Sequence, residues 1–218
     1  MPLQRCWEQV ACEPPHDEPE SRLYRYSLTY RLKDREGLPP LVVIQLNPST
    51  AGGEAVDSGD ATSRRVAGWA SRRGQYGSVV FLNLFGRRCT DPLGLLRLRY
   101  DLAVGSRGDD ALVQESGPPN ATVVAAWGKW STGRLRALVA RRRDEVCDLL
   151  LEERRSLHWL APTGHPLHGL RWEDRHELEP ITISELHSVC PSPLIRFVSG
   201  IDGDRAPLAP TMMRSWRV

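Results

Sequence analysis

Four short runs of apolar residues recur along the chain: Leu41 to Leu46 (LVVIQL), Ser78 to Phe85 (SVVFLNLF), Ala121 to Trp127 (ATVVAAW) and Leu157 to Ala161 (LHWLA). None alternates apolar with polar residues, so each suits a strand buried on both faces. Helix-compatible stretches separate them: Ala61 to Arg73, Asp91 to Leu102, Asp109 to Glu115 and Gly133 to Arg154. The last carries Leu135, Leu138, Val139, Val146, Leu149 and Leu150 near helical spacing. Leu23 to Leu32 (LYRYSLTYRL) does alternate and reads as a half-exposed strand or hairpin arm, whereas the acidic, proline-rich Cys12 to Ser21 reads as a loop. Strand–helix alternation predicts an α/β fold: one three-layer domain with a four-stranded, mainly parallel central sheet flanked by helices. The whole of 1–218 reads as that domain, with its core at about 23–170 and an extension, 171–218, that has no clear periodicity.

Length agrees with one sizeable core: the chain has 218 residues, 40% of them hydrophobic. Charge alone excludes little, since 26% of residues are charged and the formal net charge is +2. The basic residues are unusual in kind. Of 29, only Lys33 and Lys129 are lysines. Arginine forks suit phosphates and base edges, but a GC-rich genome produces the same bias. Arg134, Arg136, Arg141, Arg142 and Arg143 abut Asp144 and Glu145, and read first as a solvated helix face. The five cysteines have no CxxC spacing, so neither a disulfide framework, a zinc site nor an iron–sulfur cluster is expected. No run reaches the ~20 apolar residues of a membrane helix, and no signal pattern opens the chain. The expectation is a cytoplasmic protein without metal, cofactor or obligate protein partner.

In open α/β sheets ligands bind at the carboxyl ends of the strands, so the residues ending each run are the candidates. The first ends in Asn47-Pro48-Ser49, where Asn47 either caps a turn or faces a ligand. Asn83 interrupts the second, just before Phe85, Arg87 and Arg88. A buried amide there must find its hydrogen bonds in backbone or in a ligand. The third ends in Trp127-Gly128-Lys129, with Trp127 more naturally core than ligand contact. The fourth runs into His165-Pro166-Leu167-His168, a loop rather than an apolar face. Asp57 and Asp60 follow the first motif and read as solvated loop charge or as a carboxylate serving the site.

This order resembles the uracil-DNA glycosylase superfamily. Asn47-Pro48 is similar to the strand-end motif of its mismatch-specific members. Phe81-Leu82-Asn83 is similar to the strand bearing the base-reading asparagine, Val124-Ala125-Ala126-Trp127-Gly128 to the third strand, and His165-Pro166-Leu167 to the His-Pro-Ser-Pro loop. The chain looks closer still to a bacterial family marked by Leu-Asn-Pro-Ser-Thr-Ala, whose other marks span Tyr24 to Gly169. His165-Pro166 is followed by Leu-His rather than Ser-Pro, and His187, ahead of Cys190-Pro191-Ser192-Pro193-Leu194, is a second candidate.

The resemblance implies a DNA glycosylase that hydrolyses the N-glycosidic bond of a flipped base in double-stranded DNA, leaving an abasic site. Asn47 would orient the water and His165 would donate to the pyrimidine O2. Asp57 or Asp60 would activate water or steady the oxocarbenium ion. Pro48, Ser49, Asn83 and Phe85 would line the base pocket, with Asn83 reading the base edge. Arg87, Arg88, Lys129, Leu167 and His168 would meet DNA, with Leu167 or Leu194 as the wedge. Uracil-specific enzymes place an aromatic soon after the first motif. Ser49 to Gly53 are small, so a bulky 5-substituted pyrimidine is expected, and with it a defence role against phage genomes that carry such bases. The other readings are uracil repair, an N-glycosidase for nucleotides or RNA, and a non-catalytic nucleic-acid-binding protein.

Overall fold

The computed structural model describes residues 7–49, 60–118, 120–130, 133–161, 165–182 and 185–186. The four apolar runs become β3 (Pro40–Gln45), β4 (Ser78–Asn83), β5 (Thr122–Ala125) and β6 (Leu157–Ala161), parallel to one another in the order β4-β3-β5-β6. The sheet does not stop there. Strand β1 (Trp7–Glu13) and strand β2 (Ser27–Leu32) form an antiparallel pair, and β2 runs antiparallel to β4. At the other edge β7 (Glu177–Ile181) runs antiparallel to β6.

The expected four-stranded, mainly parallel sheet is therefore corrected. Among the described residues the sheet is mixed and has seven strands, ordered β1-β2-β4-β3-β5-β6-β7. Of the added strands, β1 and β7 form the two edges, while β2 lies inside the sheet between β1 and β4 and keeps the alternating pattern that marked Leu23 to Leu32 as a strand. Strand β7 reads Glu-Leu-Glu-Pro-Ile and buries only its last residue. Such strands carry no long apolar run, and pairing with a neighbour, not hydrophobic pattern, defines them. They also carry the sheet past both ends of the 23–170 core.

Residues of β3 alternate between two apolar clusters because successive side chains leave opposite faces of a strand. Val42 and Ile44 face one side with Val80, Leu82, Val123 and Ala125. Helices α2 (Tyr100–Val104), α3 (Gly108–Ser116) and α4 (Gly133–Glu152) cover that side through Ala103, Val104, Leu112, Leu135, Val139 and Val146. Leu41 and Val43 face the other side with Val79, Phe81 and Val124, under α1 (Ala61–Arg73), which contributes Val66, Trp69 and Ala70. Trp172, beyond the expected core, is fully buried in this second cluster and packs edge-to-face on Trp69.

Of the α4 arginines, Arg134 and Arg141 are exposed as a solvated face requires, but Arg142 and Arg143 are buried. The Arg142 Nε donates to the Leu84 carbonyl at 2.7 Å, Nη2 reaches Asp109 at 2.5 Å and Nη1 reaches Glu145 at 3.4 Å. One side chain thus ties α4 to the exit of β4 and to α3.

Arg142→Met should destabilise the protein by about 2–4 kcal/mol, because it leaves the buried Leu84 carbonyl without its donor. Urea unfolding of the two proteins measures this, and an unchanged midpoint would show that the tie contributes nothing.

Candidate functional site

Adjacent strands β3 and β5 send their chains to opposite faces, β3 to α1 and β5 to α4. Such a divergence opens a crevice at the carboxyl ends of the two strands. Asn47 and Pro48 leave β3 on one side of it, and Trp127 and Gly128 leave β5 on the other. Gly128 takes φ +84°, a conformation side-chain-bearing residues avoid, and so turns the chain sharply out of the sheet.

The loop after β6 closes over the α1 side of this crevice. A Cβ on Gly128 would lie 3.7 Å from His168 Cβ, and a Cβ on Gly169 would lie 2.7 Å from Val66, 2.9 Å from Thr62 and 3.5 Å from Gln45 Nε2. His168, Gly128, the first turns of α1 and the end of β3 therefore meet at one place. Gly169 is required there because nothing larger fits between the loop and α1.

Asn47 is half-buried and clasps the two neighbouring strand exits together. Its Nδ2 donates to the Pro48 carbonyl at 3.1 Å and to the Cys89 carbonyl at 2.7 Å, while Cys89 N donates to the Pro48 carbonyl. The turn-capping reading thus describes its nitrogen. What Asn47 offers to a ligand is the acceptor Oδ1.

Asn83 ends β4 on the α1 face, in register with Gln45 at the end of β3. Both side chains are more than nine-tenths buried. Asn83 Nδ2 donates to the Arg25 carbonyl at 3.1 Å, which fixes the amide and leaves its Oδ1 without a partner. Gln45 Nε2 is likewise unpartnered. Buried polar atoms in this condition cost stability, and here an acceptor and a donor stand on neighbouring strands at the ligand end of the sheet. Sequence singled out Asn83 because it breaks an apolar run. Gln45 escaped notice as the polar member of a run otherwise read as core.

Asp60 caps α1, accepting from Ser63 N at 2.8 Å, and lies 3.7 Å from Arg25 Nη2. His168 is half-buried. Its Nδ1 accepts from Leu170 N at 3.2 Å, so the ring proton sits on Nε2. Burial pushes the His168 pKa below its usual 6.5, against the opposing pull of Asp60. The ring is thus neutral at pH 7 with Nε2 as a donor.

The other expected residues divide. Pro48 is buried beside Asn47, and Ser49 and His165 are half-buried. Arg87 lies over the Tyr24 ring, 5.3 Å from its centroid, and Lys129 is exposed. Arg88 is buried. Phe85 does not join the site: it is fully buried in the opposite cluster, edge-to-face with Tyr100. Leu167 is a member of the second core cluster, not a projecting wedge, and Trp127 is core as well. Asp57, His187 and Leu194 lie outside the described residues.

Because the folded His168 resists protonation while the unfolded one does not, its contribution is present above pH 6.5 and is lost as pH falls from 6.5 toward the lower folded value. Replacing His168 by Asn, which keeps an acceptor for Leu170 N, should flatten the loss of stability between pH 7.5 and 5.5. Urea midpoints of both proteins at the two pH values test this, and parallel losses would contradict it.

Among the described residues no helix is long and apolar enough to cross a membrane. No curated protein and no solved structure matches the chain. A family profile does, over residues 25–170, from β2 through the loop that carries His168. That match covers most of the chain, and the protein belongs to the family described as protein of unknown function (DUF1643).

Proposed function

We propose that this protein is a DNA glycosylase, hydrolysing the N-glycosidic bond of a flipped, 5-substituted pyrimidine and leaving an abasic site. The observation that supports this most is Asn83. Its amide is locked by the Arg25 carbonyl, so a buried acceptor with no protein partner faces the ligand end of the sheet. A pyrimidine presents a donor to such an atom from N3–H in uracil or N4–H2 in cytosine, and Gln45 Nε2 on the next strand suits the acceptor beside it. Reading by fixed amides requires the base to leave the stack, at a cost of a few kcal/mol.

In this reading, cleavage of the C1′–N1 bond leaves its electron pair on the base and positive charge on the sugar. Water then adds to C1′ and loses a proton. Asn47 Oδ1 holds that water, since its amide protons are already committed to Pro48 and Cys89. His168 takes the leaving-group role that the resemblance gives to His165. A neutral imidazole with its proton on Nε2 donates a hydrogen bond that strengthens as charge develops on the base. Asp60, as helix cap and partner of Arg25, steadies the frame. DNA is the partner and the cytoplasm the place of action.

Asn47→Ala should retain duplex binding and lower base release at least ~100-fold, since its interaction is made with the reacting water. His168→Ala should slow release similarly, while His165→Ala should be milder. Abasic-site formation on matched duplexes containing uracil, thymine, cytosine, 5-hydroxymethylcytosine and glucosylated 5-hydroxymethylcytosine measures this. Release of none of these bases by the wild-type protein would sink the proposal, and release of uracil alone would return it to ordinary uracil repair.

A further inference from the structure

Two buried arginines, one of them the residue whose carbonyl holds Asn83, have few acceptors around their guanidinium groups. Arg25 and Arg88 are both more than nine-tenths buried. Among the described residues the carboxylate that faces them is Asp60, 3.7 Å from Arg25 Nη2, which is an ion pair too long for a hydrogen bond. Arg88 Nε has no hydrogen-bond partner, and its guanidinium forms no ion pair among the described residues. Two buried guanidinium groups thus face one carboxylate. Burial first, and the charge of Arg25 second, push the Arg88 pKa down, opposed by Cys12.

A purely structural arginine looks different in this same protein. Arg142 is buried more deeply still, and it spends its nitrogens on a carbonyl and two carboxylates. A buried, unpaired guanidinium destabilises the fold, and a ligand anion removes that cost. Planar guanidinium forks match oxyanions with two parallel N–H donors.

The site is built into the proposed base pocket. The Arg25 carbonyl holds Asn83 Nδ2, and Arg25 N donates to the Gly86 carbonyl. Arg88 N donates to the Leu23 carbonyl, and the next residue, Cys89, receives the amide of Asn47. The arginine pair therefore shares its backbone supports with both asparagines.

We propose that Arg25 and Arg88 form an oxyanion-binding site that receives an anionic group of the substrate next to Asn83. Two sources present this chemistry: a phosphate flanking the flipped nucleotide, or an acidic substituent on the base itself. The anion site stands on the burial and pairing of the two arginines. Its assignment to a DNA substrate rests on the glycosylase reading.

Thermal unfolding of the full chain with inorganic phosphate tests the site itself. Phosphate should raise Tm by about 3 °C or more at saturating concentration. Arg88→Met should remove this response while leaving Tm in phosphate-free buffer equal or higher, because an unpaired charge has gone. Arg88→Lys, which keeps the charge and loses the fork, should respond weakly and covers the case in which the Met variant does not fold. No response in the wild type, or an equal response in both folded variants, overturns the site.

Base release then separates the sources. Duplexes carrying 5-carboxylcytosine against 5-methylcytosine identify an acidic base, and neutral methylphosphonate links flanking the target identify a backbone phosphate. Either change should alter release by wild type at least ~10-fold and by Arg88→Met little. Release by wild type that is indifferent to both changes and equal in Arg88→Met overturns the assignment to substrate. A phosphate response lost in Arg88→Met with no abasic site from any duplex leaves the anion site standing and overturns the glycosylase reading instead.

Discussion

Strand β3 has no surface to give to water. It is hydrogen-bonded to β4 along one edge and to β5 along the other, and Leu41, Val42, Val43 and Ile44 are fully buried. Both helical layers pack on it, one through Val42 and Ile44 and the other through Leu41 and Val43. A one-residue slip would exchange these two sets between faces of different shape. The strand's register is therefore fixed by two independent cores. So is the height at which Gln45, Leu46 and Asn47 emerge, and every feature of the candidate site is measured from that point.

The loops above the sheet inherit that fixed height and stiffen it. Asn47 joins the β3 exit to the β4 exit through Cys89, Asn83 joins β4 to the segment entering β2 through Arg25, and His168-Gly169 lies across Gly128 and α1. Each joint is a hydrogen bond or a close contact between segments distant in sequence. The result is a carboxyl end that is cross-braced while several of its polar atoms remain unused. Preorganised groups of this kind do not need to rearrange when a ligand arrives, which is what electrostatic stabilisation of a developing charge requires.

The central part of this arrangement was legible in the sequence for a physical reason. Strands buried on both faces must be apolar throughout, so β3 to β6 announced themselves, and a polar residue at the end of such a run, as at Asn47 and Asn83, stands out. Edge strands obey a weaker rule. Nothing in Trp7–Glu13 or Glu177–Ile181 distinguishes a strand until a neighbour offers hydrogen bonds, so β1 and β7 passed unseen. Direction within the site was equally hidden. Phe85 and Asn83 lie two residues apart and would share a face if β4 continued. The strand ends at Asn83, and Phe85 turns into the opposite cluster. The charge of Arg142, Arg143 and Arg88 suggested surface, because arginine is usually exposed; only the folded chain shows that they are buried and which of them are paired.

That last distinction separates two uses of the same residue. Arg142 stabilises a three-way junction, and its donors end on protein acceptors. Arg25 and Arg88 stand where the sheet meets the proposed ligand, with too few acceptors around them. Folding alone gives no reason to keep two buried guanidiniums on one carboxylate near an unsatisfied carboxamide oxygen, since apolar side chains of similar volume would serve the core better. The three groups are not redundant either: the arginines supply donors and charge, while Asn83 supplies an acceptor. A partner complementary to all three must be anionic at one point and carry an N–H or O–H donor at another. Water meets the second requirement and not the first. An anionic nucleotide, or an acidic pyrimidine within one, meets both.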